Sequence, residues 1–266
     1  MHRNLYILFL LTMILDFSNA QSRNGLYSFS LPGKSSIVLT GIGPSYLFGD
    51  VGGNKDAKGL FSKTDFNVAQ TQYMFSLNYR YIFQNNISIK ASTLFGKFNG
   101  TDTGTRNDGR GFAFNTNLAV LALHVEYNIT GGEFADYDTP HKFYVFGGFG
   151  AMISKVNFES AFPFRDNGPY IDSHGSHAVL IPTSTGGYAV KMTTVTPAFP
   201  FGLGYEYDIS SNISIGFEYV VHASFSDYLD GISTGYSKNR DYLMNLDMIL
   251  TYKFGSDRAN RNRWSF

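Results

Sequence analysis

A histidine and a serine two residues apart are the first candidates for chemistry in this chain. His222 and Ser224 fall on one face of a predicted strand, and Asp227 and Asp230 follow closely. In many hydrolases a carboxylate orients the histidine and the histidine activates the serine. The phase of the strand points His222 inward, however, and no glutamate follows at a suitable distance. We therefore interpret the pair as polar residues near the rim of the fold.

Two other motifs have the spacing of ligand-binding sites. His174 and His177, with Asp166 and Asp172 nearby, could bind a divalent ion, but they lie in a long loop without a third fixed ligand. Residues 147–150 read GGFG, which begins like a phosphate-binding motif but lacks its third glycine and the helix that should follow. The chain contains no cysteine. We therefore predict no catalytic residue, no metal and no cofactor, and a protein that is not an enzyme.

The elements around these motifs are strands, and one hairpin occurs twice. Residues 75–89 read FSLNYRYIFQNNISI, and residues 201–215 read FGLGYEYDISSNISI. Apolar residues occupy every second position in both copies, and a short polar turn divides each copy into two strands. One face of each hairpin is aromatic and the other is small or charged. This pattern is typical of a transmembrane β-barrel.

Composition and the N-terminal segment agree with an exported all-β protein. The 266 residues are 17% aromatic and 16% charged and include 28 glycines, which favours strands and turns. Basic and acidic residues balance at 21 each, so no charge excess indicates a nucleic-acid partner. Residues 1–20 read as a signal peptide, with an apolar core of 11 residues ending at Leu15 and small residues before Gln21. That core is too short to span a membrane as a helix, which needs about 20 residues. The alternative is an uncleaved anchor or a buried helix.

Eight strands are predicted along the chain. They lie at about residues 35–48, 72–83, 87–95, 115–127, 142–155, 198–209, 213–222 and 242–254. Long connections follow the odd strands and shorter ones the even strands, as in outer-membrane barrels, and residues 160–193 are interpreted as an irregular loop. We predict an all-β fold, an eight-stranded antiparallel transmembrane up-and-down β-barrel with a closed polar interior over residues 35–255. A periplasmic lead at 21–34 precedes it, and a basic periplasmic tail at 256–266 follows.

The two faces of the strands predict two sets of residues. The lipid-interface girdle comprises Tyr81, Phe83, Tyr127, Phe143, Tyr205, Tyr207, Tyr252 and Phe254. The interior charge network comprises Arg80, Lys90, Glu126, Glu206, Glu218, Asp247 and Lys253. Eight strands enclose a lumen only wide enough for side chains, so these charges must pair across it and leave no open pore. The alternative, a soluble lipocalin-like barrel, would need an exterior richer in charge than these polar faces.

Three segments resemble one protein family. They read YLFGDV at 46–51, FPFGLG at 199–204 and FSDYLDGIS at 225–233. Together they resemble the small outer-membrane barrels of Bacteroidetes, which include the PorG-type barrel of the type IX secretion and gliding machinery. The resemblance implies a non-enzymatic role that seats a periplasmic ring of the secretion machine under the outer membrane. Separately, His222 and Ser224 are similar to the His-x-Ser arrangement of eight-stranded lipid A deacylases, over three residues only.

These observations leave three hypotheses about function. The first is a membrane anchor or scaffold for a type IX secretion-like complex, with Arg258, Arg261 and Arg263 of the tail contacting a periplasmic partner or phospholipid head groups. The second is a surface-interaction or adhesion barrel that works through extracellular loops. The third is a lipid A-modifying hydrolase. In each case we expect a monomeric barrel in the outer membrane of a Gram-negative cell, in contact with outer-membrane lipid and with no nucleic acid.

Overall fold

The described part of the chain consists of strands and their connections. The computed structural model describes residues 34–52, 70–82, 86–105, 107–130, 140–160, 179–182, 187–210, 212–232 and 240–254, with only the backbone at 34–40, 179–182, 188 and 254. The strands are β1 (Lys34–Phe48), β2 (Gln72–Ile82), β3 (Ile87–Thr101), β4 (Phe112–Asn128), β5 (His141–Ser160), β6 (Val179–Pro182), β7 (Tyr188–Asp208), β8 (Ile213–Ser224) and β9 (Tyr242–Phe254). Among these residues no helix is long and apolar enough to cross a membrane.

Eight of these strands close into one antiparallel ring. The order is β1-β2-β3-β4-β5-β7-β8-β9, and β9 pairs back with β1. The short strand β6 lies outside the ring and pairs only with the first residues of β7. Closure leaves no edge of the ring unpaired along its common height. The predicted eight-stranded up-and-down barrel is confirmed.

The ring is staggered, and the stagger fixes how the strands lean. Starting at Phe95, one can step from each residue to its paired residue on the next strand around the ring. In one direction this path reaches Val195 of β7, and in the other direction it reaches Tyr205 of β7. The first path runs through Ala119 and Ile153, and the second through Phe75, Ile42, Met248 and Phe217. The two end points lie ten residues apart on β7, from 195 to 205. For eight strands this stagger corresponds to a tilt of about 40° from the barrel axis.

Four neighbouring strands are longer than the sequence pattern indicated. The strands β3, β4, β5 and β7 have 15, 17, 20 and 21 residues. The prediction of an irregular loop over 160–193 was wrong for part of that range, because β6 and the start of β7 lie within it. The physical reason is that the faces of these strands change character at one end, as described below.

The interior of the barrel has two unlike halves. We call the end with the connections after β2, β4 and β7 the turn end, and the opposite end the loop end. Near the turn end the lumen contains ionised side chains, whereas near the loop end it is filled by a cluster of buried apolar residues. That cluster includes Leu47, Met74, Leu94, Phe98, Phe114, Val120, Met152, Val156, Phe158, Val190, Leu229, Ile232 and Leu243. The expectation of a polar interior therefore holds for only one half.

Candidate functional site

The lumen near the turn end contains a network of ion pairs, which we call the charge cluster. Its members are Arg80, Lys90, Glu126, Tyr144, Glu206 and Glu218. The Arg80 guanidinium lies 2.5 Å from both Glu126 Oε2 and Glu206 Oε1. The Lys90 ammonium lies 2.9 Å from Glu126 Oε1 and 2.7 Å from Glu218 Oε1. Cations on β2 and β3 thus reach carboxylates on β7 and β8 across the barrel.

Strand register explains why this cluster needs partners from the opposite wall. Arg80 pairs directly with Lys90 between β2 and β3, so two like charges lie side by side. Like charges directly opposite each other destabilise a sheet, and buried charges are costly without counterions. Glu206 and Glu218 supply the counterions, and Glu126 on β4 supplies a third. The ion pairs therefore link five strands of the ring, β2, β3, β4, β7 and β8.

Tyr144 completes the cluster and was not predicted from the sequence. Its hydroxyl donates to Glu218 Oε1 at 2.6 Å and is 3.2 Å from Glu206 Oε1. The Arg80 guanidinium carbon lies 4.9 Å from the centre of the Tyr144 ring. Tyr144 is paired with Gly204 on β7, where an added Cβ would overlap the tyrosine ring. A glycine on the opposing strand thus provides the space that this aromatic side chain occupies.

Two residues predicted for the interior network lie outside the charge cluster. Lys253 instead contacts Asp208 Oδ1 at 2.5 Å near the turn end, where Lys142 lies 3.0 Å from Asp208 Oδ2. Asp247 is buried and is paired in register with Glu218, and its Oδ1 has no hydrogen-bond partner among the described residues. For Lys253 the reason is that strand phase predicts an inward direction but gives no information on depth along the barrel, whereas Asp247 is level with Glu218 but forms no ion pair with a described residue.

The residues that suggested hydrolysis do not form a catalytic arrangement. His222 Nε2 lies 3.1 Å from Asn245 Oδ1, and the His222 side chain is buried in the lumen. The Ser224 hydroxyl donates to the Ser226 carbonyl at 3.2 Å and accepts from the Ser226 amide at 2.9 Å. Asp230 is engaged with backbone amides, as described below. Histidine, serine and carboxylate therefore each serve a structural contact.

The loop end is covered by the connection between β8 and β9. We call residues 225–232 the loop cap. Leu229 and Ile232 of the cap are fully buried against the apolar cluster, and the Thr116 hydroxyl donates to the Leu229 carbonyl at 2.8 Å. Gly231 has a φ of 94°, a conformation that residues with a side chain rarely adopt. The cap is thus folded into the barrel as part of its core.

Two buried aspartates hold the cap in place. Asp230 Oδ2 accepts hydrogen bonds from the amides of Asp50 and Val51 at 2.6 and 2.9 Å, which joins the cap to the connection after β1. Asp241 Oδ2 accepts from the Leu229 amide at 2.6 Å. Burial and the neighbouring Asp50 raise the pKa of Asp230 to about 7. Burial and the nearby Asp230 raise the pKa of Asp241 well above its usual range.

A third aspartate fixes the rim beside the cap. Asp102 accepts from the Gly52 amide at 2.9 Å and from Arg110 Nε at 2.8 Å. The same arginine donates to the Asp50 carbonyl at 2.8 Å. The described parts of three connections, after β1, β3 and β8, are therefore joined by hydrogen bonds into one layer. An eight-stranded barrel has a lumen just wide enough for side chains, and here the charge cluster and the apolar cluster lie in it below this layer.

The outer surface has a broad apolar band. On β4 and at Ile129, which follows it, the outward side chains from Ala119 onward are apolar or aromatic, and Leu121, Leu123, Val125, Tyr127 and Ile129 are 47 to 62% exposed. Ten residue steps at about 3.3 Å, tilted by about 40°, span roughly 25 Å along the axis. That height matches the lipid-facing band of outer-membrane barrels.

Most of the predicted aromatic girdle lies on this surface at the turn end. Tyr127, Phe143, Tyr207 and Tyr252 are exposed, and Tyr81 is partly covered. Tyr205 is also partly covered, because its ring lies 4.7 Å from that of Phe143 and its hydroxyl lies 2.7 Å from His141 Nδ1. Phe83 falls outside the described residues, and only the backbone of Phe254 is described.

At the loop end β3, β4, β5 and β7 extend beyond the apolar band as a sheet that we call the outer wall. Its last apolar row outward is Phe95, Ala119, Ile153 and Val195. The next outward row is Lys97, Asn117, Lys155 and Thr193. Beyond it lies the row Asn99, Asn115, Asn157 and Lys191, and the last row is Thr101, Ala113, Glu159 and Ala189. The inner face of the wall contains Phe98, Phe114, Phe158 and Val190. The polarity of the two faces therefore inverts where the strands leave the band.

Several predicted residues cannot be placed. The possible metal ligands Asp166, Asp172, His174 and His177, and the tail arginines Arg258, Arg261 and Arg263, lie outside the described residues, as do residues 1–33. Within the described ranges no group of three or more His, Cys, Asp or Glu side chains could hold a metal ion. The glycine motif at 147–150 is part of strand β5, where a Cβ on Gly148 would overlap the Leu123 carbonyl of β4.

Comparison with known proteins shows likeness in fold. The chain matches no family model and no curated protein. The crystal structure of Ail, the attachment invasion locus protein of Yersinia pestis, in complex with the heparin analogue sucrose octasulfate has 13% identity and a TM-score of 0.44, over 84% of this chain and 99% of Ail. The outer membrane protein OprG from Pseudomonas aeruginosa has 12% identity and a TM-score of 0.38, over 83% and 96%. The outer membrane protein AlkL in DMPC lipid bilayers has 13% identity and a TM-score of 0.37, over 87% and 97%.

Proposed function

We propose that this chain is an outer-membrane β-barrel that works without catalysis, as an anchor or scaffold for other proteins. The observation that supports this proposal is the filled lumen. The charge cluster occupies the half near the turn end, and the apolar cluster with the loop cap occupies the other half. A lumen occupied by side chains, as in the described part of this barrel, is not suited to transport, and we therefore place the activity at the two ends and on the outer surface.

The partner at the turn end is proposed to belong to a type IX secretion-like complex. This step rests on the resemblance of the segments at 46–51, 199–204 and 225–233 to the PorG-type barrels. A signal peptide at 1–20 would export the chain, and the turn end would then face the periplasm. The tail at 256–266, with Arg258, Arg261 and Arg263, would extend from β9 on the periplasmic side and offer three cations to an acidic partner surface.

A secretion assay with truncation of the tail tests the scaffold role. A strain lacking the gene should release less cargo protein, and the full chain should restore release. A chain ending at residue 255 should still insert in the outer membrane and should fail to restore release or to retain periplasmic partners in a pull-down. A charge-retaining tail with Arg258, Arg261 and Arg263 changed to lysine is the matched control. Normal cargo release in the deletion strain would refute the secretion role.

A second candidate function is favoured by the outer wall. The wall extends past the apolar band and exposes lysine and asparagine side chains, whereas β8 ends at Ser224 and β2 begins at Gln72. A surface-interaction barrel would use such a sheet to contact molecules outside the cell. Binding of whole cells to anionic surfaces, with and without substitutions on the wall, separates this function from the periplasmic role. The lipid A hydrolase hypothesis has no such support, because His222 and Ser224 serve structural contacts.

A further inference from the structure

The outer wall carries three lysines that form no ion pair with any described residue. Lys97, Lys155 and Lys191 are exposed on its outward face. The other lysines whose side chains are described are buried or partly buried. No ion pair joins any of them to a described carboxylate. Among the described residues of the wall, one carboxylate is exposed, that of Glu159, and it lies in the row farthest from the apolar band. The wall therefore has a positive surface directly above the band.

The register of the wall places these lysines close together. Lys97 and Lys155 lie in one row with a single strand between them, which separates their backbones by about 10 Å. Lys191 lies diagonally across from Lys155, at a backbone separation of about 7–8 Å. Lys97 and Lys155 thus lie in the outward row next to the last apolar row, which includes Phe95 of β3, and Lys191 lies in the row beyond it.

Four asparagines lie in the same two rows as the lysines. The side chains of Asn99, Asn115, Asn117 and Asn157 are exposed. A carboxamide both donates and accepts hydrogen bonds, which suits the hydroxyl groups of a sugar, whereas an ammonium group binds phosphate as a point charge. Amides and ammonium groups in neighbouring positions of these two rows match a ligand in which sugar and phosphate are joined.

We propose that the outer wall binds the phosphorylated sugar headgroup of a glycolipid in the outer leaflet of the membrane. The inference rests on the outer-membrane placement proposed above. A glycolipid can place its acyl chains against Phe95, Ile153 and Val195 while its phosphates contact Lys97 and Lys155. The lysine row adjoins the apolar band without a gap, so one molecule contacts both surfaces. A soluble anionic polymer would gain only the charge contacts.

Binding to a purified lipopolysaccharide tests the proposal. The full-length barrel, folded in phospholipid nanodiscs, would be titrated with fluorescently labelled lipopolysaccharide and with the same glycolipid after enzymatic removal of its phosphates. Each lysine near a charged membrane surface contributes about fivefold to the affinity. We therefore expect the affinity to fall on the order of 100-fold in the triple variant Lys97→Gln/Lys155→Gln/Lys191→Gln. Removing the phosphates should weaken binding by the wild-type barrel to a similar extent. Arg240→Gln, which changes an exposed cation beside Phe225 and off the wall, should bind as the wild type does.

Each other outcome contradicts the proposal. Equal affinity of the wild type and the triple variant would refute it, provided that both migrate as folded barrels on unheated gels. Equal binding of the phosphate-free glycolipid would show that charge is not recognised. Equal affinity for the deacylated, water-soluble headgroup would assign the wall to a soluble ligand. If the wild-type chain did not fold into bilayers at all, the membrane placement would fail instead, so the two failures are distinguishable.

Discussion

Replacing Lys90 with methionine tests whether the charge cluster holds the barrel together. Lys90 is 1% exposed and is surrounded by Glu126, Glu218 and the ring of Phe146, whose centre lies 4.1 Å from Nζ. Methionine has a similar length and volume, so the change removes the charge with little change in packing. Lys97→Met is the matched control, because it makes the same chemical change on the same strand at an exposed site.

The expected loss follows from what Lys90 neutralises. At an effective dielectric constant of 20, each ion pair near 4 Å between charge centres is worth about 4 kcal/mol before desolvation. Burying the ammonium group offsets much of the two attractions. Without Lys90, however, Arg80 alone faces three buried carboxylates. Removing one partner of a buried ion pair typically costs about 3–5 kcal/mol, so we expect a loss in that range for Lys90→Met. Lys97→Met should change stability by no more than about 0.5 kcal/mol.

Urea titration of the barrel in lipid vesicles measures both values. The folded fraction can be followed by the mobility of unheated samples on gels and by circular dichroism. A second substitution, Glu218→Gln, in the Lys90→Met background should recover part of the loss, because it removes one of the unneutralised carboxylates. A loss below about 1 kcal/mol for Lys90→Met, or a loss equal to that of Lys97→Met, would refute the structural role of the cluster.

Three further predictions concern the loop cap. The pKa of Asp230 is raised to about 7 in the folded state, so the stabilisation from its bound proton should be complete below about pH 4 and should decline as the pH rises to 7. Hydrogen exchange of the amides at 229–232, corrected for intrinsic rates, should show this decline. In Asp230→Asn the dependence of the exchange on pH should be smaller. Leu229→Ala should cost about 2–5 kcal/mol in urea titrations, since the side chain is fully buried, and a loss under about 1 kcal/mol would mean that the cap does not pack as described. Gly231→Ala should cost at least about 1 kcal/mol and speed proteolysis of the cap, because φ is 94° and the new Cβ would approach Val156 and Phe158; unchanged cleavage would contradict that backbone conformation.

Alternation within strands predicted much of the fold. Within the apolar band each strand has an apolar outer face and a face toward the lumen, so polarity changes at every residue, and Arg80, Lys90, Glu126, Glu206 and Glu218 could all be placed inward. The pattern gives direction but not depth, which is why Lys253 was grouped with them although it contacts Asp208. Tyr144 lies at an inward position of a glycine-rich strand. The alternation of residues cannot show whether such an aromatic side chain forms hydrogen bonds or only packs, so its contact with Glu218 was not predicted.

The outer wall could not be predicted because its pattern inverts. On β3 the outward residue is Phe95 within the band and Lys97 above it, while the inward residue changes from Lys90 to Phe98. Above the band most outward side chains are polar, and inside the barrel an apolar core replaces the charge cluster. A prediction that requires apolar residues on the same face throughout therefore ends the strand at this point, although the strand continues. The same inversion explains why residues 188–193 were interpreted as a loop although β7 begins at Tyr188.

In the membrane placement proposed above, the unequal height of the strands gives the barrel two unlike sides within the plane of the membrane. Rotation about the axis is usually of no consequence for a single small barrel, because lipid looks alike from every side. Here β3, β4, β5 and β7 would face a neighbouring molecule with a polar sheet above the bilayer, whereas β8, β9, β1 and β2 end close to the apolar band. An assembly that includes this protein should therefore contain it at one fixed rotation.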